Sequence, residues 1–128
     1  MILDSSAIVA ILKRELGFQT LVRKLAGRGS KGVSAPSLVE VSMVMAAVSL
    51  EPVRPAVDRF LQEFELTVIP FGAAHWHAAM DAFLRFGKGR HPAALNFGDC
   101  MSYAAARLAN RPLLFVGEDF AKTDVIAA

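Results

Sequence analysis

Short apolar runs alternate with helical segments along this chain, and that alternation leaves few folds open. Residues 1–3, 32–35, 66–69 and 113–116 read as buried strands, with a short final strand over 124–127. Between them the pattern predicts helices over 7–14, 18–26, 36–50, 57–65, 73–86 and 99–109, and one helical turn over 118–121. Ser5 and Ser6 offer an N-cap for the first helix, and Pro36 suits the first turn of the third. Pro52 and Pro55 break that helix from the next. Strands alternating with helices imply an α/β fold, a central and mainly parallel sheet covered on both faces. In such sheets, sites form beyond the carboxyl ends of the strands.

Composition narrows the class. A chain of 128 residues is about one ordinary domain, so residues 1–128 are read as a single domain. With 54% apolar and 20% charged residues it is not a disordered chain. One cysteine, Cys100, excludes a disulfide framework and a cysteine-rich zinc site. The formal net charge of +2 says little about partners. Met1-Ile2-Leu3-Asp4 lacks the basic start of a signal peptide. The longest run free of charged residues, 66–80, is shorter than a membrane span. A soluble, cytoplasmic protein is expected.

The carboxylates carry the chemistry. Asp4 is the only charged residue among the first twelve, Glu40 the only one from Gly32 to Leu50, and Asp99 the only one from Pro92 to Ala106. An ionised acid in apolar surroundings must be paired, hydrogen-bonded or bound to a cation. One such acid is usually a helix cap or a core ion pair. Three of them weaken that reading. Asp4 ends the first strand and Asp119 follows the strand at 113–116, so neighbouring strands would bring both into one crevice. Glu40 and Asp99 sit early in their helices, toward the same rim. Clustered carboxylates repel unless a divalent ion neutralises them, and all-oxygen ligands favour Mg²⁺ or Mn²⁺ over Zn²⁺. Such a constellation is nuclease-like or phosphatase-like.

At this point four motifs resemble a known family. They are Met1-Ile2-Leu3-Asp4-Ser5-Ser6-Ala7, Pro36-Ser37-Leu38-Val39-Glu40-Val41, Leu95-Asn96-Phe97-Gly98-Asp99-Cys100, and Gly117-Glu118-Asp119-Phe120 with Thr123-Asp124-Val125. Together, in this order and spacing, they resemble a PIN-domain ribonuclease of the VapC toxin type. The resemblance implies a PIN-like three-layer α/β/α sandwich. It implies that Asp4, Glu40, Asp99 and Asp119 hold Mg²⁺, with Mn²⁺ as a substitute. It also implies hydrolysis of RNA to 5′-phosphate and 3′-hydroxyl ends, a cognate VapB-type antitoxin, and a homodimer. Ser5 occupies the small-hydroxyl position beside the first acid, and Asp124 a further acidic position that a cap or an exposed charge explains equally well.

Other residues are weighed beside these. Arg85, Lys88, Arg90 and His91 form a basic stretch before the Asp99 helix, suited to substrate phosphates or to solvent. Asn96 either orients a metal ligand or caps the helix, and capping is favoured. Arg23, Lys24, Arg28 and Lys31 read as a solvated helix end. His75 and His77, two apart, diverge on a helix and make a poor metal pair. Cys100 reads as a buried small residue rather than a nucleophile. Two alternatives stay open: a Mg²⁺-dependent phosphatase, which expects an acid where Ser6 stands, and a non-catalytic nucleic-acid or protein-binding module whose acids cap and pair internally.

Overall fold

The computed structural model describes residues Met1–Ala128. Four parallel strands, β1 (Ile2–Leu3), β2 (Lys31–Ser34), β3 (Leu66–Ile69) and β4 (Leu113–Leu114), form one sheet in the order β3-β2-β1-β4. The helices are α1 (Ser5–Leu12), α2 (Phe18–Leu25), α3 (Ala35–Val48), α4 (Val53–Glu63), α5 (Ala73–Phe86) and α6 (Phe97–Ala109), with a 3₁₀ turn at Phe120–Lys122. None is long and apolar enough to cross a membrane.

Successive strand residues face opposite sides of a sheet, and this makes two cores. Ile2 and Leu113 face one way, into Ala82, Phe86, Tyr103 and Ala105 of α5 and α6. Leu3 and Leu114 face the other, into Ile8 and Ile11 of α1, Val41 of α3 and Phe60 of α4. The result is the three-layer α/β/α sandwich, with β1 and β4 side by side in register at Ile2↔Leu113 and Leu3↔Leu114.

Three local readings are corrected. The N-cap of α1 is Asp4, not Ser5 or Ser6: its carboxylate accepts the Ser6 backbone N–H. The fourth helix starts at Val53 rather than 57, because Pro55 falls in its first turn, where a missing N–H costs no intrahelical bond. The last stretch is not a strand but a single bridge between Leu113 and Ala127, too short to extend the sheet.

Candidate active site

Asp4 and Asp119 come from neighbouring strands. The Asp4 backbone N–H donates to the carbonyl of Leu114 at 2.9 Å, which fixes the end of β1 against β4. Asp4 is only 2% exposed. Its Oδ2 accepts from the Ser6 N–H at 3.0 Å and the Ser6 hydroxyl at 2.5 Å. Its Oδ1 is the one buried side-chain polar atom in the protein without a hydrogen-bond partner. Such an atom carries a desolvation cost that nothing in the chain offsets.

Asp99 lies in the first turn of α6 through a reciprocal cap. The Asn96 side chain accepts the Asp99 N–H and the Asp99 carboxylate accepts the Asn96 N–H, both at 2.9 Å. Asn96 therefore caps the helix and orients Asp99 at once. Glu40, on α3, accepts the Ser5 hydroxyl through Oε1. Its other oxygen rests against Gly98, where any Cβ would overlap the carboxylate. Glycine at 98 is what leaves room for the Glu40 carboxylate against the start of α6.

The electrostatics tie the four acids together. The Asp99 carboxyl is pushed up to about 6, first by burial and then by the charges of Asp4, Asp119 and Glu40, against the opposing bond from Asn96. No ion pair relieves this charge: the protein's ion pairs are Lys13–Glu15, Arg59–Glu51, Arg85–Asp124 and Arg107–Asp124. Yet no group of three or more His, Cys, Asp or Glu side chains stands at metal-ligating spacing. The acids form an open anionic cluster rather than a closed cage. So spread, they would hold a hard, oxygen-preferring cation partly through the ion's own waters.

Asp124 is engaged elsewhere. It accepts from the Tyr103 hydroxyl at 2.7 Å and from Arg85 at 2.9 Å, and Arg107 lies 3.9 Å away. Burial works against its charge, but the bonds from Tyr103 and Arg85 outweigh it and hold its carboxyl below the usual range. Arg85 is correspondingly tied down, on Asp124 and over the Phe86 ring at 4.6 Å. His91 braces its own loop, accepting the Ala93 N–H at 3.0 Å and packing edge-on to Phe86. Of the four residues expected to meet phosphate, Lys88 and Arg90 remain the exposed ones outside that network, with Arg90 also 5.6 Å from the Phe83 ring. His75 accepts the Gly72 N–H at the start of α5. Cys100 is buried, and its thiol is pushed up to about 11, by burial and then by Asp99.

Sequence reasoning gave Ser6 only a capping role and passed over three buried serines. Ser34, Ser37 and Ser102 are at most 3% exposed. Their hydroxyls form a chain, 2.7 Å from Ser34 to Ser37 and 3.2 Å from Ser37 to Ser102. The only available signal was the spacing of Ser37 three residues before Glu40 and Ser102 three after Asp99.

Comparison with known proteins agrees with this architecture. The PIN-domain family model matches residues 1–126. The chain is 48% identical over 126 residues to "Ribonuclease VapC36" of Mycobacterium tuberculosis, covering 98% of this chain and 91% of that one. It is 39% identical over 127 residues to "Ribonuclease VapC" of Mycolicibacterium smegmatis, covering 99% and 98%. Among solved structures, M. tuberculosis VapC20, described as a sarcin–ricin loop cleaving toxin, superposes with a TM-score of 0.79 at 16% identity, covering 99% of this chain and 97% of that one. VapBC2 of Rickettsia felis, bound to a DNA fragment from its promoter, gives 0.75 at 18% identity, covering 99% and 96%. With a full-length family match and close relatives named VapC, the chain belongs to the PIN-domain family, on its VapC branch.

Proposed function

We propose that this chain is a single PIN domain acting in the cytoplasm as an endoribonuclease toxin. It cuts RNA phosphodiester bonds with a divalent cation, Mg²⁺ or Mn²⁺, held by Asp4, Glu40, Asp99 and Asp119. The observation that carries this reading is the unpaired charge. Asp4, Glu40 and Asp119 all act on Asp99, no Lys or Arg pairs with any of the four, and Asp4 Oδ1 is buried without a partner. When bound, the cation supplies a water of lowered pKa and neutralises charge on the scissile phosphate.

The chain's own residues do the rest. Asn96, Ser5 and Ser6 orient the carboxylates through the bonds described above. Lys88 and Arg90, exposed on the loop before α6, hold flanking phosphates without reading sequence. The products carry 5′-phosphate and 3′-hydroxyl ends. A VapB-type antitoxin silences the toxin, in keeping with the relatives' names and with the structural neighbours that are toxin–antitoxin complexes. The toxin itself acts as a homodimer.

The test is to incubate the purified chain, free of antitoxin, with total RNA and map the new ends. Discrete cuts bearing 5′-phosphates are expected. Intact RNA at every divalent concentration would favour the non-catalytic binding module. A phosphatase is disfavoured because Ser6, two residues past Asp4, bonds the carboxylate instead of supplying a second acid.

A further inference from the structure

Ser6 is bonded on two sides. Its hydroxyl donates to Asp4 Oδ2 at 2.5 Å and accepts the Val116 N–H at 3.0 Å. The direction of both bonds is fixed, because an ionised carboxylate can only accept and a backbone N–H can only donate. One hydroxyl therefore ties the carboxylate at the end of β1 to the segment that leaves β4 toward Asp119. The helix cap does not need it, since the Ser6 backbone N–H already reaches Asp4 Oδ2 at 3.0 Å.

The two Ser6 donors both fall on Oδ2, and Oδ1 has none. We propose that Ser6 is a positioning residue: its hydroxyl selects which Asp4 oxygen is left for the cation and holds the Val116–Asp119 segment beside it. This rests on the reading of the four acids as a divalent-cation site. Groups that hydrogen-bond a metal-binding carboxylate tune its affinity for the ion, often by 10- to 100-fold. Nothing comparable holds Asp119, which lies in an exposed segment and caps only a short 3₁₀ turn with no side-chain bond. Its placement depends on how the chain leaves β4, and the Ser6–Val116 bond is the side-chain restraint there.

Thr and Val have nearly the same shape and differ in the hydroxyl, and Ser6 is only half-buried, so position 6 can be tested with that pair. The full chain, stripped with EDTA, would be titrated with Mn²⁺ and followed by electron paramagnetic resonance, with wild type, Ser6→Thr, Ser6→Val and Ser6→Ala compared. Ser6→Thr is expected to bind within about twofold of wild type, and Ser6→Val and Ser6→Ala roughly 10- to 100-fold more weakly. Melting in EDTA should stay similar for Thr and Val. Amide exchange at Val116 should quicken in Val and Ala but not in Thr. Unchanged Mn²⁺ affinity in both Ser6→Val and Ser6→Ala would overturn the assignment, as would an equal loss in Ser6→Thr. If wild type itself failed to bind Mn²⁺, the acid-site reading would fall, and this proposal with it.

Discussion

The hydroxyls of Ser37 and Ser102 meet at 3.2 Å inside the α3–α6 interface. Ser37 stands one turn before Glu40 on α3, and Ser102 one turn after Asp99 on α6. The pair braces the two helices beneath the two acids they carry. A buried hydroxyl must find a partner or cost free energy; Ser37 also has Ser34, so it is Ser102 that is satisfied only when the helices keep this spacing. Ser37→Ala should destabilise the EDTA-treated protein by about 1–2 kcal/mol, by leaving the buried Ser102 hydroxyl without its partner, and Ser102→Ala by less, since Ser37 keeps Ser34. Urea denaturation of both single variants and the double variant checks it. The double variant should lose less than the sum of the singles.

Gly98→Ala addresses the approach of α6 to Glu40. The added methyl overlaps the Glu40 carboxylate, so the side chain must move. A displacement of about 1 Å in a reacting constellation can cost roughly 10²-fold in rate. We expect kcat/KM for RNA cleavage to fall by about that factor while cooperative unfolding is retained. Activity near wild type would show that Glu40 tolerates displacement.

The raised Asp99 carboxyl sets a pH dependence. Its folded value, about 6, lies above the ordinary carboxylate value of 3.8. Between the two, the native state holds more protons than the unfolded chain, so metal-free stability falls as pH rises through that window. The EDTA-treated protein should therefore be more stable near pH 5 than near pH 7.5 on account of this group, and Mn²⁺ should restore stability at the higher pH. Below about pH 6 a proton competes with the cation for Asp99, and Mn²⁺ affinity should drop up to tenfold per pH unit. Asp99→Asn should flatten both trends. Thermal melts across pH, with and without Mn²⁺, read them directly.

The basic loop divides by role. Lys88→Ala and Arg90→Ala should each weaken RNA binding and reduce the dependence of log K on log salt by about one phosphate contact. Arg85→Ala should leave that slope unchanged and lower stability instead, because it removes a partner of Asp124 and Tyr103. Filter-binding titrations at several salt concentrations separate the two behaviours.

Much of this was legible in the sequence because the signals were local. The strand at Leu66–Ile69 and the helix at Ala73–Phe86 have the bounds that their apolar pattern and flanking Pro and Gly dictate. The isolated acids stood out because burial without an ion pair is costly, and the pairing of β1 with β4 places Asp4 and Asp119 at one end of the sheet. The rest depends on contacts distant in sequence. Asp124 could not be separated from the other acids until Arg85, 39 residues away, was seen to bond it. Ser37 and Ser102 lie on helices, just past Ser34 at the end of β2 in the first case, and their sequence does not say that this face is closed by another helix. Pro55 misled because a proline between helices and a proline in a first turn look alike.

Whether Asp4, Glu40, Asp99 and Asp119 act as one cation-dependent cutting site is decided by RNA cleavage with Asp4→Asn and Asp99→Asn beside wild type, each with Mg²⁺, Mn²⁺ or EDTA. Wild type is expected to cut only with a divalent ion, and both variants to fold without cutting. Asp99→Asn should melt no lower than wild type in EDTA at pH 7.5, since it relieves a buried charge repelled by its neighbours. Cleavage that persists in EDTA, or that survives either substitution, would contradict a single cation-dependent site.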